Sequence, residues 1–149
     1  VGFANGAGNI KDLKRYSFVG IVICTGFMML SALVFSSFPH FLVGLFSQDA
    51  KLIKISVPIL YILSVFQVFD GLQVSLAGIF KGIKRTGVVL LSNFIAYWLI
   101  SIPVGCTLAF HYHLNLKGFW IGLASAAIIL CIIMSFMLMK SIKKLEPVK

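Results

Sequence analysis

Four long apolar runs leave this chain little freedom of class. Residues 18–38, 55–80, 88–110 and 118–139 hold 21 to 26 residues each, interrupted by a single charge. As helices rising 1.5 Å per residue, each is long enough to cross a bilayer core of about 30 Å. Pro39 closes the first run, from Phe18 to Phe38. Hydrophobic residues make up 60% of the chain and charged ones 11%, against about a quarter charged in ordinary soluble domains. The expected fold is all-α: a polytopic membrane helix bundle of four full transmembrane helices, preceded by the end of another. That preceding helix is read from residues 1–16, where Gly2, Gly6 and Gly8 are followed by Lys11, Lys14 and Arg15, as a helix end turning into a basic loop. Four spans leave little room for a soluble domain, and no repeat of roughly 20 to 50 residues is visible.

The formal charge of +9 does not mark a nucleic-acid binder, because the 13 Lys and Arg sit in short clusters between apolar runs and form no basic face. Counted through the five connecting segments, they number 3, 2, 3, 1 and 4, so the odd segments hold 10 and the even ones 3. The positive-inside rule then puts both ends and the Lys81–Gly87 turn in the cytoplasm. The chain opens at Val1 with no signal-peptide cleavage site, and reads as part of a longer protein.

Asp70 is the one acid inside any of the apolar runs. A carboxylate at mid-membrane costs about 3 kcal/mol on insertion scales, so it faces a bundle interior, a water-filled cavity or a cation. Two readings stand: a residue that binds an ion or carries a proton, or a structural acid satisfied by hydrogen bonds within the bundle. Gln67, Asp70 and Gln73 share an arc of about 120° at 100° per residue, with Leu63, Phe66 and Ala77 beside them. This polar stripe, with Phe66 as an aromatic edge, is a candidate cavity lining. On the next face Gly71, Ser75, Gly78 and Gly82 recur at helical spacing, which suits close packing of a neighbouring helix. Asn93 and Tyr97, four apart in the third run, either add to the same cavity or hold helices together by hydrogen bonds.

Other features are assigned to structure. The stretch Leu45-Phe46-Ser47-Gln48-Asp49 is expected to place a cap before the helix carrying Asp70, with Pro58 tolerated in its first turn. Pro103 is expected to kink the third span. Cys24, Cys106 and Cys131 stand alone in apolar runs and read as small packing residues. His111 and His113, two apart, share no helix face and read as loop residues. Gly2-Gly6-Gly8 has no following P-loop lysine, and no catalytic constellation is visible, so no enzyme is expected and no cofactor.

Several stretches together resemble the multidrug and toxic compound extrusion (MATE) transporters. They are Val1-Gly2 with Gly6-Ala7-Gly8-Asn9, then Phe69-Asp70-Gly71-Leu72-Gln73 with Gly78 and Lys81-Gly82. Tyr97-Trp98 with Ile102-Pro103-Val104-Gly105, and Gly118-Phe119-Trp120-Ile121-Gly122, complete the set. Each is weak alone; their order and spacing are more specific and span nearly the whole chain. The resemblance implies the last third of a twelve-helix exporter, from the end of helix eight through helix twelve. It implies two lobes around a central cavity, in which inward Na⁺ or H⁺ drives outward movement of a cationic small-molecule substrate. Asp70 would match the coupling carboxylate of the C-terminal lobe. The expected partners are membrane lipid, the N-terminal lobe and helix seven. The expected location is multi-pass, in a plasma membrane or bacterial inner membrane. Phe3 departs from the polar residue often found there in the family. Two alternatives remain: a related flippase for lipid-linked saccharide, which would favour a basic cavity that these spans lack, or a non-transporting assembly remnant.

Overall fold

The computed structural model describes residues 1–145, without the side chain of Lys144; the tail from Glu146 to Lys149 lies outside them. A short helix α1 (Gly2–Gly6) leads through a turn at Ala7–Asn9 into α2 (Ile10–Ser37). Asn9 starts α2: its Oδ1 accepts from the Asp12 amide at 3.1 Å, and its Nδ2 donates to the Asp12 carboxylate at 2.7 Å. Asp12 in the first turn also suits the positive end of the helix dipole. Most of the expected basic loop is therefore helix. Charge ends an apolar run but not a helix, and Lys11, Lys14 and Arg15 extend α2 beyond its membrane portion.

Pro39 opens the short helix α3 (Pro39–Gly44), and Asp49 caps α4 (Ala50–Gly82) by accepting from the Lys51 amide at 2.8 Å. The cap is where the sequence puts it. Because α4 begins at Ala50, Pro58 falls inside the helix and not in its first turn. The third span (Thr86–His111) is continuous but not uniform. It consists of α5 (Thr86–Phe94), a π-helical segment Ile95–Ser101, α6 (Ile102–Cys106) and a second π-helical segment Thr107–His111. Pro103 lies just after the first π segment; its nitrogen has no proton and its ring crowds the preceding carbonyls, and the wider turn accommodates both effects. The last helix, α7, is Leu116–Leu145. Four helices are thus long and apolar enough to cross a membrane, and the described residues contain no strand.

α4 is the centre of the bundle, packed against α2 on one side and α7 on another, while α2 and the third span do not touch. The largest fully buried side chains, Leu13, Leu76, Phe80, Leu130 and Met134, gather at the end that carries Lys14, Lys81, Lys84 and Lys140. Asn5 donates to the Gly82 carbonyl at 3.3 Å and Arg85 to the Ser141 hydroxyl at 3.0 Å, closing this end. Most of α2 is uncovered: Phe18, Val22, Phe27, Leu30 and Leu33 are all exposed, as suits a helix with lipid or further helices against it.

Candidate functional site

α4 passes its polar stripe between two neighbours, and the stripe divides. On one side Gln67 donates to the Ser31 hydroxyl of α2, with Met28 Sδ 3.8 Å from its amide nitrogen. On the other, Gln73 is buried and joins the third span. Its Nε2 donates to Asn93 Oδ1 at 2.8 Å, its Oε1 accepts from Tyr97 Oη at 3.0 Å, and Asn93 donates in turn to the Val89 carbonyl at 2.8 Å. The structure thus brings Gln73, Asn93 and Tyr97 into one chain of hydrogen bonds. These hydrogen bonds tie α4 to the third span.

Replacing Gln73 by leucine removes Tyr97's acceptor and Asn93's donor together. Interhelical hydrogen bonds in membranes average about 0.6 kcal/mol and reach about 1.7, so a loss of about 1–3 kcal/mol is expected, read as a lower thermal midpoint of the purified protein. Tyr97→Phe leaves the Asn93 arm intact and should cost about half as much. Equal losses would mean that the Asn93 arm contributes nothing.

Asp70 lies between these two ties. It is half-buried and, among the described residues, has no hydrogen-bond or salt-bridge partner. It is close enough to Tyr97 and Cys131 for its charge to act on both. Cys131 is itself occupied, donating to the Phe69 carbonyl at 3.1 Å. α2 and the third span are not neighbours, and α7 approaches Asp70 through Cys131. Phe66 lies edge-on to Trp120 of α7, with ring centroids 6.3 Å apart at 72°. A single acid with neutral amides and aromatic rings offers one negative charge to a cation.

The small-residue face of α4 is only partly engaged. A Cβ on Gly71 would lie 2.5 Å from Met28 Cγ, and one on Gly82 2.9 Å from Val1 Cγ1, so both glycines admit a neighbour. Gly78 meets nothing within 4 Å, and the Ser75 hydroxyl turns back to the Gly71 carbonyl at 3.0 Å. The closest helix crossing lies elsewhere. Gly118 and Gly122 of α7 press directly on the third-span backbone at Ala109 and Gly105. The sequence signal was present as Gly118-x-x-x-Gly122 facing Gly105-x-x-x-Ala109, a small-residue pattern on both partners.

Three comparisons with known proteins bear on this arrangement. The MatE family model matches residues 1–107. A protein of Mesorhizobium japonicum named "Probable multidrug resistance protein NorM" is 38% identical over 130 residues, covering 84% of this chain and 28% of that protein. The "Multidrug resistance protein NorM" of Burkholderia vietnamiensis is 33% identical over 141 residues, covering 91% and 30%. Among solved structures, the eukaryotic MATE transporter AtDTX14 superposes with a TM-score of 0.82 at 25% identity, over 95% of this chain and 33% of that one. The chain spans under a third of the length of the curated relatives it matches.

Proposed function

Since this chain belongs to the MatE family and is a multi-pass membrane protein, we propose that it forms the last third of a secondary active multidrug exporter. In this reading Na⁺ or H⁺ moving inward drives cationic organic compounds outward. The observation that carries it is Asp70, a lone carboxylate inside an apolar span with no hydrogen-bond or ion-pair partner among the described residues. A charge left in that position costs about 3 kcal/mol or more. A bound cation or proton offsets that cost, and so favours whichever conformation holds the ion.

The roles follow from position. Asp70 is the ion-coupling residue. Phe66 and Tyr97 present aromatic faces to an organic cation, while Gln67, Gln73 and Asn93 set the spacing of the helices around it. The N-terminal lobe and helix seven supply the remaining walls, and alternating access moves the two lobes about the site. The basic end of the bundle faces the cytoplasm of a plasma or bacterial inner membrane, in line with the positive-inside count. No catalytic step is assigned.

The test uses the full-length protein in proteoliposomes loaded with a fluorescent organic cation, under an imposed Na⁺ gradient or an imposed pH gradient. Dye movement driven by one gradient and not the other identifies the coupling ion. Movement that responds to neither gradient would sink the antiport reading.

A further inference from the structure

The end of the bundle opposite Lys81 and Lys84 carries a cationic opening of its own. There the first turns of α4 and α7, with the connection that precedes α7, border a space of about 410 Å³. Lys54, His113 and Lys117 line it, and Ile55, Leu114 and Leu116 form its apolar wall. Among the described residues neither lysine has a hydrogen bond or an ion pair, and no acid lines the opening. The acid closest to Lys54 in the chain is Asp49, whose carboxylate is the cap of α4 at 2.8 Å from the Lys51 amide. Five residues of helix turn Lys54 about 140° away from it. Asp70 lies about 24 Å along α4 from Lys54, and Cys131 about 21 Å along α7 from Lys117, so the opening is separate from the surroundings of Asp70. Leu145 is about 44 Å away, at the far end of α7.

The connection holds His113 at this mouth. His113 and Asn115 both have left-handed backbone, with φ of 55° and 49°, a region that histidine and asparagine enter more readily than most residues. The Leu114 and Asn115 amides donate to the Leu108 and Ala109 carbonyls at 3.1 and 3.2 Å, and Asn115 Nδ2 to the His113 carbonyl at 3.4 Å. The Lys117 and Gly118 amides are used as well, on the carbonyls of Leu114 and Asn115. The side chains are thus what the opening offers a ligand.

We propose that the opening holds the headgroup of one anionic phospholipid, its phosphate between the Lys54 and Lys117 ammonium groups and its acyl chain over Ile55 and Leu116. Charge complementarity selects an anion. The wall selects a lipid: Ile55, Leu114 and Leu116 are all exposed, an apolar area that an acyl chain covers and a soluble anion does not. The apolar runs begin at Ile55 and Gly118, so both lysines stand where the spans start. Lysine stems lie along apolar surface at that depth while their heads reach the headgroups. The inference needs only that the chain spans a membrane, and stands whatever the protein transports.

The experiment places the photoreactive residue p-benzoylphenylalanine at the position of Leu114 in the full-length protein. The protein is irradiated in nanodiscs of equal phosphatidylglycerol and phosphatidylcholine with the same acyl chains, and the two lipid adducts are counted by mass spectrometry. Phosphatidylglycerol adducts are expected in roughly 25-fold excess, at about fivefold per lysine. Lys54→Gln combined with Lys117→Gln should bring the ratio near one. Lys51→Gln removes a charge from the same end without touching the opening and should leave the ratio nearly unchanged. If the double variant does not fold, Lys54→Gln alone is read, with a ratio about fivefold lower. Free glycerol phosphate should displace neither lipid. Adducts with neither lipid, equal adducts while both lysines are present, a preference that survives their loss, or displacement by glycerol phosphate would each overturn the site.

Discussion

Asp70→Asn in the full-length protein is expected to lower ion-driven efflux by roughly 5- to 150-fold, the range of typical coupling free energies between two sites, without lowering the thermal midpoint. The two readouts are expected to part because asparagine keeps the size of the side chain and discards its charge. A carboxylate at mid-span costs about 3 kcal/mol on insertion scales, and Asp70 recovers none of it from a hydrogen bond or ion pair within these helices. Removing the charge therefore takes away a burden on the fold and the one negative charge that the four apolar runs offer an ion. Were Asp70 a structural acid, the same change would lower stability and leave transport in proportion to surviving protein. Efflux at the unmodified rate from a stable variant would end the coupling role.

Gly118→Ala is expected to destabilise the protein by about 2 kcal/mol or more, read as a drop in thermal midpoint, although glycine to alanine ordinarily favours a helix by about 1 kcal/mol. The new Cβ would stand 2.5 Å from the Ala109 nitrogen and 2.7 Å from the Ala109 Cα. Those atoms are backbone and cannot swing aside, so α7 and the third span must move apart. Gly122→Ala meets Gly105 in the same way, at 2.7 Å from its nitrogen and Cα. Gly78→Ala is the control: nothing lies within 4 Å of the added atom, and its midpoint should hold or rise. Equal midpoints for the Gly118 and Gly78 variants would contradict the close crossing.

That pair of glycine motifs shows where sequence reading stops. Gly78-x-x-x-Gly82 and Gly118-x-x-x-Gly122 are the same pattern, and spacing alone does not say which faces another backbone. Only the partner decides, and it is Gly105 and Ala109, small residues on the helix opposite. The polar stripe shows the same limit of spacing read alone. Gln67 and Gln73 do share an arc, but an arc of about 120° on a helix between two neighbours touches both, so one glutamine went to α2 and the other to the third span. Span count, the Asp49 cap and the common face of Asn93 and Tyr97 were legible because each rests on local periodicity or a local hydrogen bond. Helix ends were not: basic residues stop an apolar run without stopping the helix, and Asn9 was the signal that mattered. The π segments around Pro103 were legible only as an irregularity.

The third span leans chiefly on α7, and meets α4 only near its start and through the Gln73 tie. α7 follows it in the chain. During synthesis the third span thus reaches the bilayer before its main partner has left the ribosome, and the last connection, from Tyr112 to Asn115, is only four residues long. Its order of birth runs against its order of contacts, so the last two helices are a hairpin whose first arm waits, with Asn93 and Tyr97 dependent on Gln73 of the already inserted α4 until Gly118 and Gly122 arrive to seat it.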